Sequence, residues 1–208
     1  MMKYNRILMA RSISVLIAVL IAGCASSAPC RFYTLSPVAA PGAKPQANYT
    51  VSVGPVSVPA VVDRQQMAIR TGPNQVFLDE NERWASPLKE NIARVIAEDL
   101  SALLGTSQVT LYPQSSASGA TYRVIVDILR FDMELGKAAT LDALWIVNPA
   151  SAPPAQKDAQ PRRIRTTLTE PAQGGSHADL AAAQSRALGK LSAEIAAAIE
   201  KIENQKPR

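Results

Sequence analysis

The sequence predicts an α/β (α+β) fold: a single compact domain with a mixed or antiparallel β-sheet and two long helices packed on one face. Three observations point there. Extended segments occur in two groups, and each group leads into one helix with a single apolar stripe, near residues 88–104 and 180–202. The 208 residues are 47% apolar and 19% charged, which suits one real core and not a disordered polyelectrolyte. The two halves share this order of elements without matching in sequence, so one domain is expected and not a duplication.

The chain opens with Lys3, Arg6 and Arg11 and no acid, followed by the apolar run Ile13–Ile21. A basic stretch, a short apolar stretch and small residues before a cut read as a secretory signal. The run is too short for a membrane span, which needs roughly 18–20 apolar residues. Leu20-Ile-Ala-Gly-Cys24 resembles a bacterial lipobox, in which the cysteine thiol takes a diacylglyceryl thioether and the freed amine takes a further acyl chain such as palmitate. Two or three chains hold a protein on a membrane durably. Residues 1–23 are therefore expected to be a lipoprotein signal peptide, and 24–30 a lipidated N-terminus and short tether. Residues 31–204 would form the domain, and 205–208 a C-terminal tail. Ala25, in place of an aspartate after the cysteine, favours release to the outer membrane.

The signal holds three of the 22 basic residues and none of the 17 acidic ones, so the chain from Cys24 onward carries only +2 from its side chains. The basic balance thus gives no reason to expect a nucleic-acid partner. With Cys24 acylated, Cys30 has no intramolecular disulfide partner.

Arg31–Leu35 reads as extended, and residues 36–48 as a Pro/Gly-containing loop. Tyr49–Val58 alternates as a strand, kinked or bulged at Gly54-Pro55 and ended by Pro59. Val61–Thr71 is a second strand or irregular extended piece, Gly72-Pro-Asn74 turns, and Gln75–Leu78 is a short strand. Asp79-Glu-Asn-Glu82 then reads as a solvated acidic corner. Ser86 is the expected helix N-cap, with Pro87 in the first turn. Leu88, Ile92, Val95, Ile96, Leu100, Leu103 and Leu104 make one face, with Glu98 and Asp99 off it, and Gly105 ends the helix.

Gln108–Tyr112 is a short strand. Tyr122, Val124, Val126 and Ile128 alternate in another, which continues to Glu134 with a register change before Phe131. Thr140–Val147 is apolar on both sides and so interior to a sheet. Asn148–Pro161 is a Pro/Ala-rich loop, and Arg162–Thr169 a final strand. A flexible link from Pro171 to His177 precedes the second helix, whose start is expected near Ser176 or Asp179.

No catalytic set emerges. There is one histidine, His177, expected to be solvated in its link, and there are two cysteines, too few for a His-rich or four-cysteine metal centre. No G-x-S-x-G or phosphate-binding loop occurs. No catalytic residue, cofactor or metal is expected. Two segments suit a partner or subunit contact. One is Pro59–Gln66, with Asp63, Arg64 and Gln66. The other is the arginine cluster Arg162, Arg163 and Arg165, which could equally be an edge strand protected by charge. Trp84 and Trp145 are expected in the core.

Taken in order, several segments resemble the PqiC/YmbA-like family of ABC-type transport auxiliary lipoproteins. They are the lipobox at Cys24, Phe32-Tyr-Thr-Leu-Ser-Pro37, Val58-Pro59, Val62-Asp-Arg-Gln-Gln66 and Trp84-Ala-Ser-Pro-Leu88. Ile92–Leu104, Tyr122–Ile128 with Phe131, Leu141-Asp-Ala143 with Trp145, and the alanine-rich last helix complete the match. Tyr33, Leu35, Trp84, Pro87, Leu88 and Trp145 would be its structural positions. The resemblance implies a non-catalytic, outer-membrane-tethered subunit facing the periplasm, inserted in outer-membrane phospholipid through its acyl anchor. Its implied partners are an MCE-domain channel protein and an inner-membrane transport component, its implied cargo phospholipid, and its implied assembly a ring of copies. A lipoprotein that itself carries a hydrophobic ligand in a cavity, and a peptidoglycan-associated structural lipoprotein, are the alternatives.

Overall fold

The computed structural model describes residues 29–40, 48–113, 119–150 and 163–205. Cys24, Arg162 and all but the first three residues of the Pro/Ala-rich loop lie outside them. The elements run β1 (Arg31–Tyr33), β2 (Val51–Ser57), β3 (Gln66–Gly72), β4 (Gln75–Trp84), α1 (Leu88–Leu104), β5 (Val109–Leu111), β6 (Tyr122–Glu134), β7 (Ala138–Pro149), β8 (Ile164–Pro171) and α2 (His177–Asn204).

The expected mixed sheet with two helices is present, but the strands divide into two sheets. Five strands in the order β5-β2-β6-β7-β8 form the layer that both helices cover. β2 runs parallel to β5 and β6, while β6, β7 and β8 are antiparallel. The smaller sheet, β1-β4-β3, combines a β3–β4 hairpin with a parallel pairing of β1 on β4. It docks on the far half of β6, where Trp84 meets Phe131 edge-on at 6.2 Å and Arg70 pairs with Asp132 at 3.1 Å.

Local chemistry explains the elements. In β6, Tyr122, Val124, Val126 and Ile128 point to the helices, a bulge between Ile128 and Arg130 shifts the phase, and Phe131 and Met133 then resume the buried face. In β2 the register shifts between Val53 and Val56. Gly54 sits there at φ +119°, which strains any L side chain, and a Cβ on it would press on the Tyr112 Cβ at 3.2 Å.

Helix α1 buries Leu88, Ile92, Val95, Ile96, Leu100 and Leu104 against β2, β5 and α2. Burying each such side chain is worth about 1.5–3 kcal/mol relative to exposure. Its N-cap is Pro87 and not Ser86: the Pro87 carbonyl accepts from Glu90 and Asn91 N–H, and no side chain caps this end. Gly105, left-handed at φ 63°, closes the helix through its N–H to Ser101 O. Helix α2 begins in a capping box, Ser176 with Asp179.

Residues 34–39 lie across both helices. Ser36 N–H donates to Ser185 Oγ at 3.1 Å, Val38 and Ala39 N–H both donate to Asp99 Oδ1 at 2.9 Å, and Arg94 Nη2 donates to the Leu35 carbonyl at 2.6 Å. Asp99, expected off the buried face, is therefore fully buried as an acceptor for this crossing segment.

Candidate functional site

The turn between β2 and β3 is built from the inside out. Val62 is buried in the core, and Val62 and Asp63 N–H both donate to the Pro59 carbonyl, at 3.0 and 3.1 Å. At the other end Trp84 N–H donates to the Gln65 carbonyl at 2.7 Å. Backbone fixed at both ends presents Val61, Asp63, Arg64 and Gln65 to solvent, with Val61 46% exposed. Asp63 makes a surface pair with Lys89 at 3.5 Å, and Gln66 turns aside to Glu80. The Arg64 guanidinium has no partner among the described residues, so a rigid turn holds out an unpaired cation beside an apolar side chain.

The arginine strand differs from this. β8 is an edge of the larger sheet, and the described arginines there, Arg163 just before it and Arg165 within it, are paired within the molecule. Arg165 grips Asp142 with both arms, at 3.0 and 2.7 Å, and its hydrogen bond holds that carboxyl below the usual range despite burial. Arg163 pairs with Asp127 at 2.7 Å, and Asp127 also accepts from Ser57 Oγ at 2.8 Å. Register partners Ser57, Asp127, Leu144 and Arg165 thus form a row across the face away from the helices. Three strand spacings separate its ends by about 14 Å. The turn begins two residues beyond Ser57, at one end of that row, and the arginines stand at the other.

The remaining named positions are structural in their surroundings. Leu35, Trp84, Leu88 and Trp145 are buried, Trp145 donating from its indole N–H to Thr166 Oγ1 at 3.0 Å, while Pro87 is exposed at the helix start. Tyr33 belongs to a polar cluster that the sequence reading missed. Asp79–Glu82 lies within β4 and not in a turn; Glu80 and Asn81 are exposed as expected, but Glu82 is only 3% exposed. Arg31 Nε donates to Glu82 Oε1 at 2.8 Å with Nη2 on the same oxygen, and the Tyr33 hydroxyl donates to Oε2 at 2.6 Å. The Arg31 hydrogen bond holds the Glu82 carboxyl below its ordinary value, against the opposing effect of burial. His177 is not in a flexible link either. It is the first residue of α2, with its side chain 12% exposed and Nε2 3.4 Å from Asp79 Oδ2.

Beside this cluster, Tyr33, Val38, Ala181 and Arg186 line an open groove of about 340 Å³. Among the described residues no helix is long and apolar enough to cross a membrane.

The structure is thus a helix-backed sheet with a fixed, cation-tipped turn at one end of its outer face and paired arginines at the other. The chain belongs to the ABC-type transport auxiliary lipoprotein component family, whose model matches residues 33–196. It is thus a non-enzymatic auxiliary component that works with a larger transport system. Among solved structures it is similar to a protein of Xanthomonas campestris at 19% identity and TM-score 0.66, covering 85% of this chain and 100% of that one. A second, described only as an uncharacterized protein, shares 20% identity at TM-score 0.65, covering 83% and 99%. At these identities the likeness is one of fold. No curated protein matches the sequence.

Proposed function

We propose that acyl chains on Cys24 tether this chain to the outer membrane, facing the periplasm. There it serves as the accessory subunit of an MCE-type channel that moves phospholipid across the envelope and maintains membrane integrity. The 59–66 turn is its docking surface on the channel or on a neighbouring copy in a ring. Family membership supports the auxiliary role, and the lipobox supports the anchor. The observation that carries the docking surface is the unpaired Arg64 on a backbone fixed at both ends. A pre-ordered loop loses little entropy on binding, and arginine is enriched at interface cores.

The test has two parts. Intact mass of the envelope-isolated protein should show an N-terminus at Cys24 with a lipid adduct; a retained leader would remove the anchor. Pull-down from envelope membranes should recover an MCE-domain protein with the wild type and lose it at least tenfold with Arg64→Ala. Recovery unchanged by that substitution, together with an unchanged oligomeric state, would sink the docking surface. Recovery of muropeptides, or of bound lipid without a channel, would point instead to the wall-associated or carrier reading.

A further inference from the structure

We propose that Asp79, Glu82 and His177 form a zinc(II) site that staples the smaller sheet to the start of α2. One ligand atom from each residue lies within 4.8 Å of the other two. His177 Nε2 and Asp79 Oδ2 are 3.4 Å apart, which matches the edge of a tetrahedron with bonds of about 2.0–2.1 Å. Glu82 stands at the third corner, within 4.8 Å of both, and would have to move toward them to ligate. His177 Nε2 is shut off from solvent and makes no hydrogen bond, an uncommon state for a ring nitrogen among carboxylates.

The backbone accounts for the convergence. Residues three apart on a regular strand face opposite sides, and Asp79 and Glu82 would diverge. In β4 the register jumps, Gln66 pairing Arg83 while Met67 pairs Asp79, so residues 80–82 bulge out and Glu82 swings to the side of Asp79.

Each carboxylate is also held from behind, as metal ligands are. Asp79 Oδ1 accepts from Asn81 N–H at 3.1 Å, leaving Oδ2 toward His177. Arg31 occupies Glu82 Oε1, and Tyr33 takes one lone pair of Oε2, leaving the other free. Imidazole and carboxylate donors suit zinc, and three protein ligands leave its fourth position to water.

Because His177 is the only histidine, its ring resonances give an unambiguous readout. The intact chain is purified without a histidine tag, stripped with chelator and titrated with zinc sulfate. The His177 signals should shift and saturate at one zinc per chain, and the melting temperature should rise. Cobalt(II) should give absorption of tetrahedral intensity. Asp79→Asn, which keeps shape and backbone, should weaken zinc binding at least tenfold while circular dichroism stays native. An unmoved histidine signal at saturating zinc would overturn the site. So would equal affinity in Asp79→Asn, or a thiolate–cobalt band with no histidine shift, which would place the metal on a cysteine.

Discussion

Replacing Glu82 should release β1, and the structure sets the size of the effect. Glu82 is 3% exposed and receives three donors, two from Arg31 and one from Tyr33. A hydroxyl bonded to a buried carboxylate contributes about 1.5–3 kcal/mol. Arg31 is 69% exposed, so solvent screens its share and the Tyr33 hydroxyl carries most of the effect. Glu82→Ala should therefore cost about 1.5–3 kcal/mol. Tyr33→Phe should cost about 1.5–3 kcal/mol, a large part of a typical folding stability, and Glu82→Gln no more than that.

Urea unfolding in the presence of chelator measures these values apart from any metal. In a double-mutant cycle, Tyr33→Phe and Glu82→Gln should couple by about 1 kcal/mol or more. The Glu82 carboxyl titrates below its ordinary 4.5 when folded, so its stabilisation is present above that pH and lost as pH falls through the folded value. The gap between wild type and Glu82→Gln should narrow on acidification. Strict additivity of the two substitutions, or a gap that does not change with pH, would refute the clamp.

Other consequences are testable in the same way. Arg165→Ala strips the buried Asp142 of its two-armed partner and should lower the melting temperature at neutral pH. That loss should shrink in acid, because the Asp142 carboxyl is held down by this hydrogen bond; thermal melts at two pH values suffice. Asp99 behaves oppositely: burial pushes its carboxyl above 3.8, against the backbone N–H groups of Ala39 and Val38, so its contribution falls as pH rises through the raised value. Asp99→Asn keeps the Oδ1 acceptor and should flatten stability against pH above about 4, whereas parallel curves would contradict the assignment. Gly105→Ala places a side chain at φ 63° and should cost about 1 kcal/mol by urea midpoint.

Local signals in the sequence predicted local structure well. The α1 stripe and its closing Gly105, the phase break before Phe131, the Gly54 irregularity and the Ser176 start of α2 all follow from periodicity, capping and backbone freedom within one element. What depended on distant partners was not legible. Four polar residues, Asp79 to Glu82, look like a solvated turn until β1, some fifty residues earlier, is laid beside them. His177 looks like a link residue until β4 arrives about a hundred positions away. The division into two sheets, and the burial of Asp99 under residues 38 and 39, have the same origin: strand pairing and crossing segments are set by tertiary packing. Of the proposed docking site, the polar turn was visible in the sequence, and the pairing of Arg163 with Asp127 and of Arg165 with Asp142 was not.

The parallel seating of β1 on β4 has a mechanical corollary. Tension entering at Pro29 runs along the strand axis, so the backbone bonds of the short β1 share the load side by side and must give way together in shear, instead of opening one after another as at a hairpin end. Behind them, residues 34–39 are riveted to α1 and α2, which carries the strain into the helical layer and away from the exposed 59–66 turn.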